Sequence, residues 1–570
     1  MVTQTTRTPV YEISKSDKRF IGWHVLFAVT ALTVGSLFGP LQALQQAGID
    51  LYPSLDFLFI HINEGPAAYY QGLTLHGVLN ALIWTTFFIT GFTTLAVIRG
   101  LKRNLAVPLL NRIGFWMMVV GLVVAAVPLL GDKASVLYTF YPPMQADSLF
   151  YLGLVLVVVG SWIEGYGFYI TLYRWRKEHP GERTPLIVLA VVLNMVMWQI
   201  ATLGIAAEVL GLILPWAFSI TSGIDPQLSR TFFWFTGHPL VYFWLLPAYA
   251  SWYTMLPRQA GGKLFSDSLA RLAFWLFLLL SVPLGFHHQF VDPGVPSGWK
   301  FVHSILTLGV FFPSLLTFFT VVASLEYAAR RRGGKGLLGW IRALPWGDPS
   351  VAAQLLAGIL FMFGGISGLA NASYNVNLVL HNTTWVPGHF HLTVASAVTM
   401  SFFGISYWLV PHITGKPLWR PKVAVASSWI YFAGMLIFSN AMHTVGLLGA
   451  PRRTPLGLAP YVPDEWNGHL FRVAVGGAIM WVGLMLFVVV VAVTAWQRKR
   501  LPEGEVVDVP LAESLDDPNK GPLWLDRWKP WLIATVVLII LAYGPQLLDQ
   551  LLGIDLTSPG YVPDSPTPTG

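Results

Sequence analysis

Uncharged apolar runs of roughly 20 residues or more recur along almost the whole chain, and they leave it few folds. They lie near 20–44, 70–98, 113–131, 146–174, 185–216, 229–256, 270–291, 301–328, 350–372, 386–411, 421–447, 469–496 and 530–552. A run of that length crosses the hydrocarbon core of a bilayer as a helix. In lipid each backbone N–H and C=O must be satisfied within the protein, so the runs predict an all-α, polytopic bundle of about thirteen transmembrane helices. Composition agrees. Only 11% of the 570 residues are charged, against about 25% in a soluble domain, so a chain like this could not cover itself with polar surface in water.

The charges that remain orient the bundle. Lys15, Lys18 and Arg19 precede the first run, and Arg99, Lys102, Arg103 and Arg112 lie between the second and third. Arg174, Arg176 and Lys177 follow the fourth, Arg258 and Lys263 the sixth, and Arg330, Arg331, Arg332 and Lys335 the eighth. Lys416, Arg420 and Lys422 follow the tenth, and Arg498, Lys499 and Arg500 the twelfth. Every second loop is basic, which predicts a cytoplasmic N-terminus and an outer C-terminus. The net charge of +7 is thus a topology signal, and no nucleic-acid partner is expected. The first run is too long for a signal-peptide core and reads as a retained span. The expected organisation is a cytoplasmic segment over 1–19, a twelve-helix core over 20–496, a cytoplasmic connector over 497–529, an extra span over 530–552 and a Pro-rich outer tail over 553–570. One outer loop is basic against the rule, with Arg452 and Arg453 side by side. Either they are ordinary surface arginines or they face buried anions.

The chain has no cysteine. Disulfides, thiolate metal sites, Cys-ligated iron–sulfur clusters and haem attached through C-x-x-C-H are excluded, so any metal here is held by His, carboxylate, Tyr or Met. Histidine inside a span is costly and usually functional. With the topology above, His76, His238, His287, His288, His389 and His391 all fall in the outer third of the bilayer, a depth assigned from charges alone. A helix turns about 100° per residue, so His389 and His391 point about 200° apart and suit two separate centres. His287 and His288 converge on one ion if the helix frays there, and Pro283 favours distortion. Tyr242, four residues after His238, shares its helix face.

The segment W-F-T-G-H-P-L-V-Y from Trp234 to Tyr242, the pair His287–His288 and the run H-N-T-T-W-V-P-G-H-F-H from His381 to His391 strongly resemble subunit I of the haem–copper oxidases. The likeness covers nearly the whole chain, and the B-type (ba-type) members are most similar. The resemblance implies that His76 and His391 are axial ligands of a low-spin haem, of b type, and that His389 is the proximal ligand of a high-spin haem, of a or o type. It implies a copper ion (CuB) on His238, His287 and His288, with Tyr242 cross-linked to His238. Imidazole suits both metals. Arg452, Arg453 and His381 match residues at the haem propionates, and Asn377 stands where close relatives carry Asp. A single proton channel through Tyr242, Tyr249, Tyr253, Ser314 and Thr317 is implied. The Glu that serves a second channel in A-type enzymes is absent, since that position is Leu240.

The implied reaction takes electrons from cytochrome c, reduces O₂ to water and pumps protons, in a bacterial or archaeal plasma membrane. Without cysteine this chain cannot hold a two-copper CuA site, so a cytochrome c donor calls for a subunit II that carries it. Two readings compete. A nitric oxide reductase shares the fold but typically has Glu where Tyr242 stands. A multi-span transporter gives no reason to place six histidines at one depth.

Overall fold

The computed structural model describes residues 5–6, 11–54 and 65–553. His61 and all but the first residue of the expected Pro-rich tail lie outside them. Among the described residues thirteen long helices carry the fold. They are α1 (Lys15–Gln46), α2 (Gly65–Leu101), α3 (Pro108–Leu130), α4 (Ser148–Glu178), α5 (Leu186–Ala217), α6 (Pro226–Thr254), α7 (Asp267–Ser281), α8 (Ser297–Arg331), α9 (Pro349–Ala372), α10 (Trp385–Thr414), α11 (Pro421–Leu447), α12 (Asp464–Trp496) and α13 (Trp528–Leu552). Eleven are long and apolar enough to cross a membrane. The other two are α6, which spends its length on His, Tyr, Trp and Pro, and α7, which has only 15 residues.

The shortness of α7 corrects the span expected over 270–291. Its helix stops at Ser281, and Pro283 follows, which has no N–H to continue the ladder. The chain then turns through a separate 3₁₀ segment, Gly285–Gln289, which carries His287 and His288. Three helices change pitch in mid-course, with π-helical stretches at Val78–Trp84 in α2, Val209–Ile213 in α5 and His391–Val398 in α10. Such stretches recur at functional sites, and two of these three begin at or just after a histidine singled out above.

Neighbouring helices approach through small residues, as expected where lipid supplies no hydrophobic drive between them. At the α3–α4 crossing, a Cβ on Gly121 would lie 2.6 Å from the Gly153 carbonyl, and one on Gly153 equally close to that of Gly121. No larger residue fits either position.

The charged connector after α12 is lashed across one end of the bundle. Asp508 pairs with Arg99 at 3.0 Å, Glu513 with Lys263 at 2.8 Å, and Asp526 with both Arg183 at 2.7 Å and Arg271 at 3.0 Å. Val506–Val507 forms a two-residue antiparallel pair with Thr5–Thr6. The basic loops are thereby gathered at the end where the chain begins. From there α13 runs back along α6, α7 and α8.

Arg271 is buried and shared between Asp267 and Asp526. Breaking a buried ion pair from one side typically costs 3–5 kcal/mol. Asp526 is partly exposed and leaves Asp267 in place, so Asp526→Ala is expected to cost about 2 kcal/mol. A lower midpoint of thermal inactivation in detergent and faster proteolysis of the connector would report the loss.

Candidate metal and haem site

Three imidazoles meet where α6 passes the turn after α7. The ligand atoms of His238, His287 and His288 lie within 4.8 Å of one another. His238 Nδ1 is 3.1 Å from His288 Nε2, a separation that suits two nitrogens on one ion at about 2 Å from each. The His288 ring stacks on Trp234, with centroids 3.7 Å apart and planes at 5°. His287 Nδ1 lies 2.7 Å from the Leu284 carbonyl and 3.0 Å from Thr307 Oγ1. A carbonyl only accepts, so Nδ1 carries the proton and Nε2 is left as the ligand atom. His238 Nε2 is buried without a hydrogen-bond partner among the described residues, and the Tyr242 ring lies 5.0 Å from the His238 ring.

His389 faces the same space from α10. Its Nδ1 is 3.0 Å from the Gly364 carbonyl and 3.0 Å from Ser367 Oγ, both on α9. The next turn of α9 presents Gly368, where a Cβ would come within 3.0 Å of the imidazole. Together with Tyr242 and Ser314 these four histidines line one cavity of about 330 Å³. His391 points elsewhere. Its Nδ1 donates to the Pro387 carbonyl at 2.7 Å, and its ring faces that of His76 across a second cavity of about 250 Å³. These two rings are nearly parallel, at 13°, with centroids 6.3 Å apart. Two metal–nitrogen bonds of about 2 Å plus two half-rings fill that distance, so one iron fits between them. His76 Nδ1 donates to the Gly35 carbonyl at 3.0 Å, and Asn80 Nδ2 lies 3.1 Å away.

The arginine pair closes both cavities at one end. Arg452 lines the two of them, and Arg453 lines the second. Arg452 donates to Asn382 Oδ1 at 3.0 and 3.3 Å, while Arg453 Nη2 is buried with no hydrogen-bond partner among the described residues. Burial, then the neighbouring Arg453 charge, pull the Arg452 guanidinium down to about 10. Two adjacent cations under-supplied with anions fit the carboxylates of a haem.

Comparison with known proteins then decides the family. Residues 19–479 match the family model described as cytochrome c and quinol oxidase polypeptide I. The chain belongs to this family. Cytochrome c oxidase subunit 1 of Thermus thermophilus is 46% identical over 97% of this chain and 98% of that one. The quinol oxidase subunit 1 of Bacillus subtilis is 25% identical over 83% of this chain and 71% of its own length. A haem–copper terminal oxidase dimer solved by cryo-electron microscopy superposes with a TM-score of 0.90 at 37% identity, covering 98% of this chain and 97% of that one.

The chain is therefore a multi-pass membrane protein and the catalytic subunit I of a terminal oxidase, in a family that works with haem and copper. Its remaining candidates are dispersed more widely than the histidines. Tyr253 donates to Thr317 Oγ1 at 2.8 Å. The Tyr249 hydroxyl faces Ser314 without closing a hydrogen bond to it. Tyr242 and Ser314 border the cavity, and among these five hydroxyl residues Tyr253–Thr317 is the pair joined by a closed hydrogen bond. His381 and Asn377 line the first cavity beside Arg452. His381 Nδ1 donates to Asn377 Oδ1 at 3.1 Å, and Asn377 Nδ2 in turn donates to the Asn371 carbonyl at 2.7 Å.

Sequence reasoning missed Thr307 and Ser367, whose hydroxyls hold His287 and His389. Each is a single polar residue within an apolar run, the only signal they offered. It also gave His24 no role. His24 is fully buried against Glu164, with Nε2 and Oε1 3.0 Å apart.

Burial, then the Arg452 charge, lower His381 to about 4. Asn377→Asp would place an acceptor carboxylate on its Nδ1–H and favour the charged imidazole. A rise of about one unit is expected, below the 1–3 units of an isolated pair because Arg452 competes for the new charge. Infrared titration of the imidazole in parent and variant measures it.

Proposed function

We propose that this subunit reduces O₂ to water in the cavity shared by His389 and the three-histidine cluster, and conserves the energy as a proton gradient. In this reading His238, His287 and His288 hold CuB, His389 holds the high-spin haem, and His76 with His391 holds the low-spin haem. The low-spin haem is of b type and the high-spin haem of a or o type. The carrying observation is the division of six imidazoles between two adjoining cavities, His238, His287, His288 and His389 in one and the parallel pair His76 and His391 in the other. When bound, the haem irons and copper supply the electrons and the place where O₂ binds.

The chain's own residues do the rest. Carbonyls of Gly35, Leu284, Gly364 and Pro387 fix the imidazole tautomers and aim the Nε2 atoms. Arg452 and Arg453 neutralise the propionates. Tyr242 offers a hydroxyl proton and an electron at the edge of the cavity. Its cross-link to His238 would use the otherwise unpartnered Nε2, in a two-electron, two-proton oxidation for which O₂ is the oxidant. Protons arrive along Tyr253, Thr317, Tyr249 and Ser314. Electrons come from cytochrome c, as the name of the Thermus relative suggests, and reach this chain through a subunit II that bears CuA. The absence of cysteine here requires a separate subunit for that centre.

Metal analysis of the purified complex, with CO-difference spectra on the same sample, tests the reading. Two irons with at least one copper and a CO-binding haem are expected, and three coppers would add CuA. Three irons without copper would favour nitric oxide reduction, and a colourless protein would overturn the assignment. His76→Ala or His391→Ala is expected to abolish the low-spin spectrum and spare CO binding, while His389→Ala does the reverse. Loss of one common spectral component in all three would refute the division between two cavities.

A further inference from the structure

No residue of α13 is among those lining the two cavities, yet one face of this helix is tied to the turn that carries His287 and His288. We propose that α13 is a brace for the copper-binding turn, with Tyr543 as its positioning residue. The proposal rests on reading His238, His287 and His288 as copper ligands.

The turn needs outside support. The α7 ladder stops at Ser281, so the N–H groups of Gly285 and Phe286 begin a new segment without helical acceptors. Both are satisfied by way of α13. Tyr543 Oη accepts from Gly285 N at 2.8 Å and donates to the Val282 carbonyl at 3.2 Å, so one hydroxyl bridges the break on both sides of Pro283. The Ala542 carbonyl accepts from His303 Nε2 at 3.0 Å. That bond fixes the His303 tautomer, leaving Nδ1 to accept from Phe286 N at 3.2 Å. Further along, Gln546 Nε2 donates to the Gly294 carbonyl at 3.2 Å.

The fit around Gly285 is tight. A Cβ there would overlap both the Tyr543 hydroxyl and the Trp234 carbonyl, so the turn is wedged between α13 and α6. Trp234 is the residue on which His288 stacks. The buried residues of α13, Thr535, Ile539, Ala542, Tyr543, Gln546 and Gln550, recur every three or four positions as one stripe, whereas Val536, Ile540, Leu541, Leu548 and Leu551 are exposed. Three polar members of that stripe, Tyr543, Gln546 and Gln550, reach the loop over 282–294. A helix kept only as a lipid-facing span has no need of them.

Copper retention in the intact, purified complex tests the brace. The copper-to-iron ratio and the rate of copper loss to a chelator would be followed beside the low-spin haem spectrum and the thermal midpoint. Tyr543→Phe keeps the ring against Phe235, Phe286 and His303 and removes only the hydroxyl. Copper is expected to leave about tenfold faster, the lower end of what loss of an outer-shell partner costs, with the low-spin spectrum unchanged. Tyr407→Phe is the control, since it deletes an equally buried hydroxyl bonded to Ser427 at 2.7 Å and should hold copper as the parent does. Parent-like copper loss in Tyr543→Phe, or equal loss in the control, overturns the brace. If Tyr543→Phe does not assemble, Gln546→Leu decides. Faster copper loss supports the brace, and the parental rate overturns it. A parent complex without copper would instead refute the ligand assignment on which the brace rests.

Discussion

An imidazole buried in a lipid-embedded bundle must find partners for two nitrogens, and much of this structure follows from how that demand is met. In four of the rings one nitrogen goes to a backbone carbonyl, from Gly35, Leu284, Gly364 or Pro387. A carbonyl cannot donate, so the proton sits on Nδ1 and Nε2 remains as a lone pair aimed into a cavity. An aimed lone pair in an apolar cavity is unsatisfied until a metal takes it. The helices α1 and α9, which supply two of those carbonyls, are thereby part of the two sites although neither carries one of the six histidines.

Much of this was legible because it rests on side-chain identity and period. Span count followed from run length, and the alternation of Lys and Arg in loops grouped His76, His238, His287, His288, His389 and His391, which the structure gathers around two cavities. α6 was legible for the same reason, although it is too polar to pass as a membrane span on hydropathy alone. The supporting contacts were not legible. Gly35 and Gly364 act through their backbone, and nothing in an apolar run tells which carbonyl will face a ring 41 or 25 positions away. The end of α7 was misread because the apolar run continues past Pro283, and hydropathy registers no missing N–H.

Charges in the loops serve two ends. They set the topology, and the connector then uses them as anchors, Asp508 for Arg99 and Asp526 for Arg183 and Arg271. Arg271 is almost wholly buried, so its pairs are worth more than exposed ones, which contribute about 0–1 kcal/mol. Anchoring the connector at this end fixes where α13 starts and hence which of its faces meets α7.

The divergence of His389 and His391 is sharpened by a change of pitch. His389 belongs to the α-helical start of α10, Trp385–Phe390, and the π-helical stretch opens at His391. Widening the turn there lets the His391 ring donate back to Pro387 while Ser396 Oγ reaches the His391 carbonyl at 2.7 Å, five residues back. A matching π stretch in α2 begins two residues after His76. The parallel pair thus stands on two helices that both depart from α geometry beside their histidine. Such stretches give up regular i→i−4 hydrogen bonds, and in hydrocarbon that has a cost. A fold that accepts it twice at one pair of facing rings holds those rings parallel and 6.3 Å apart, so the altered pitch of both helices is tied to the placement of the pair.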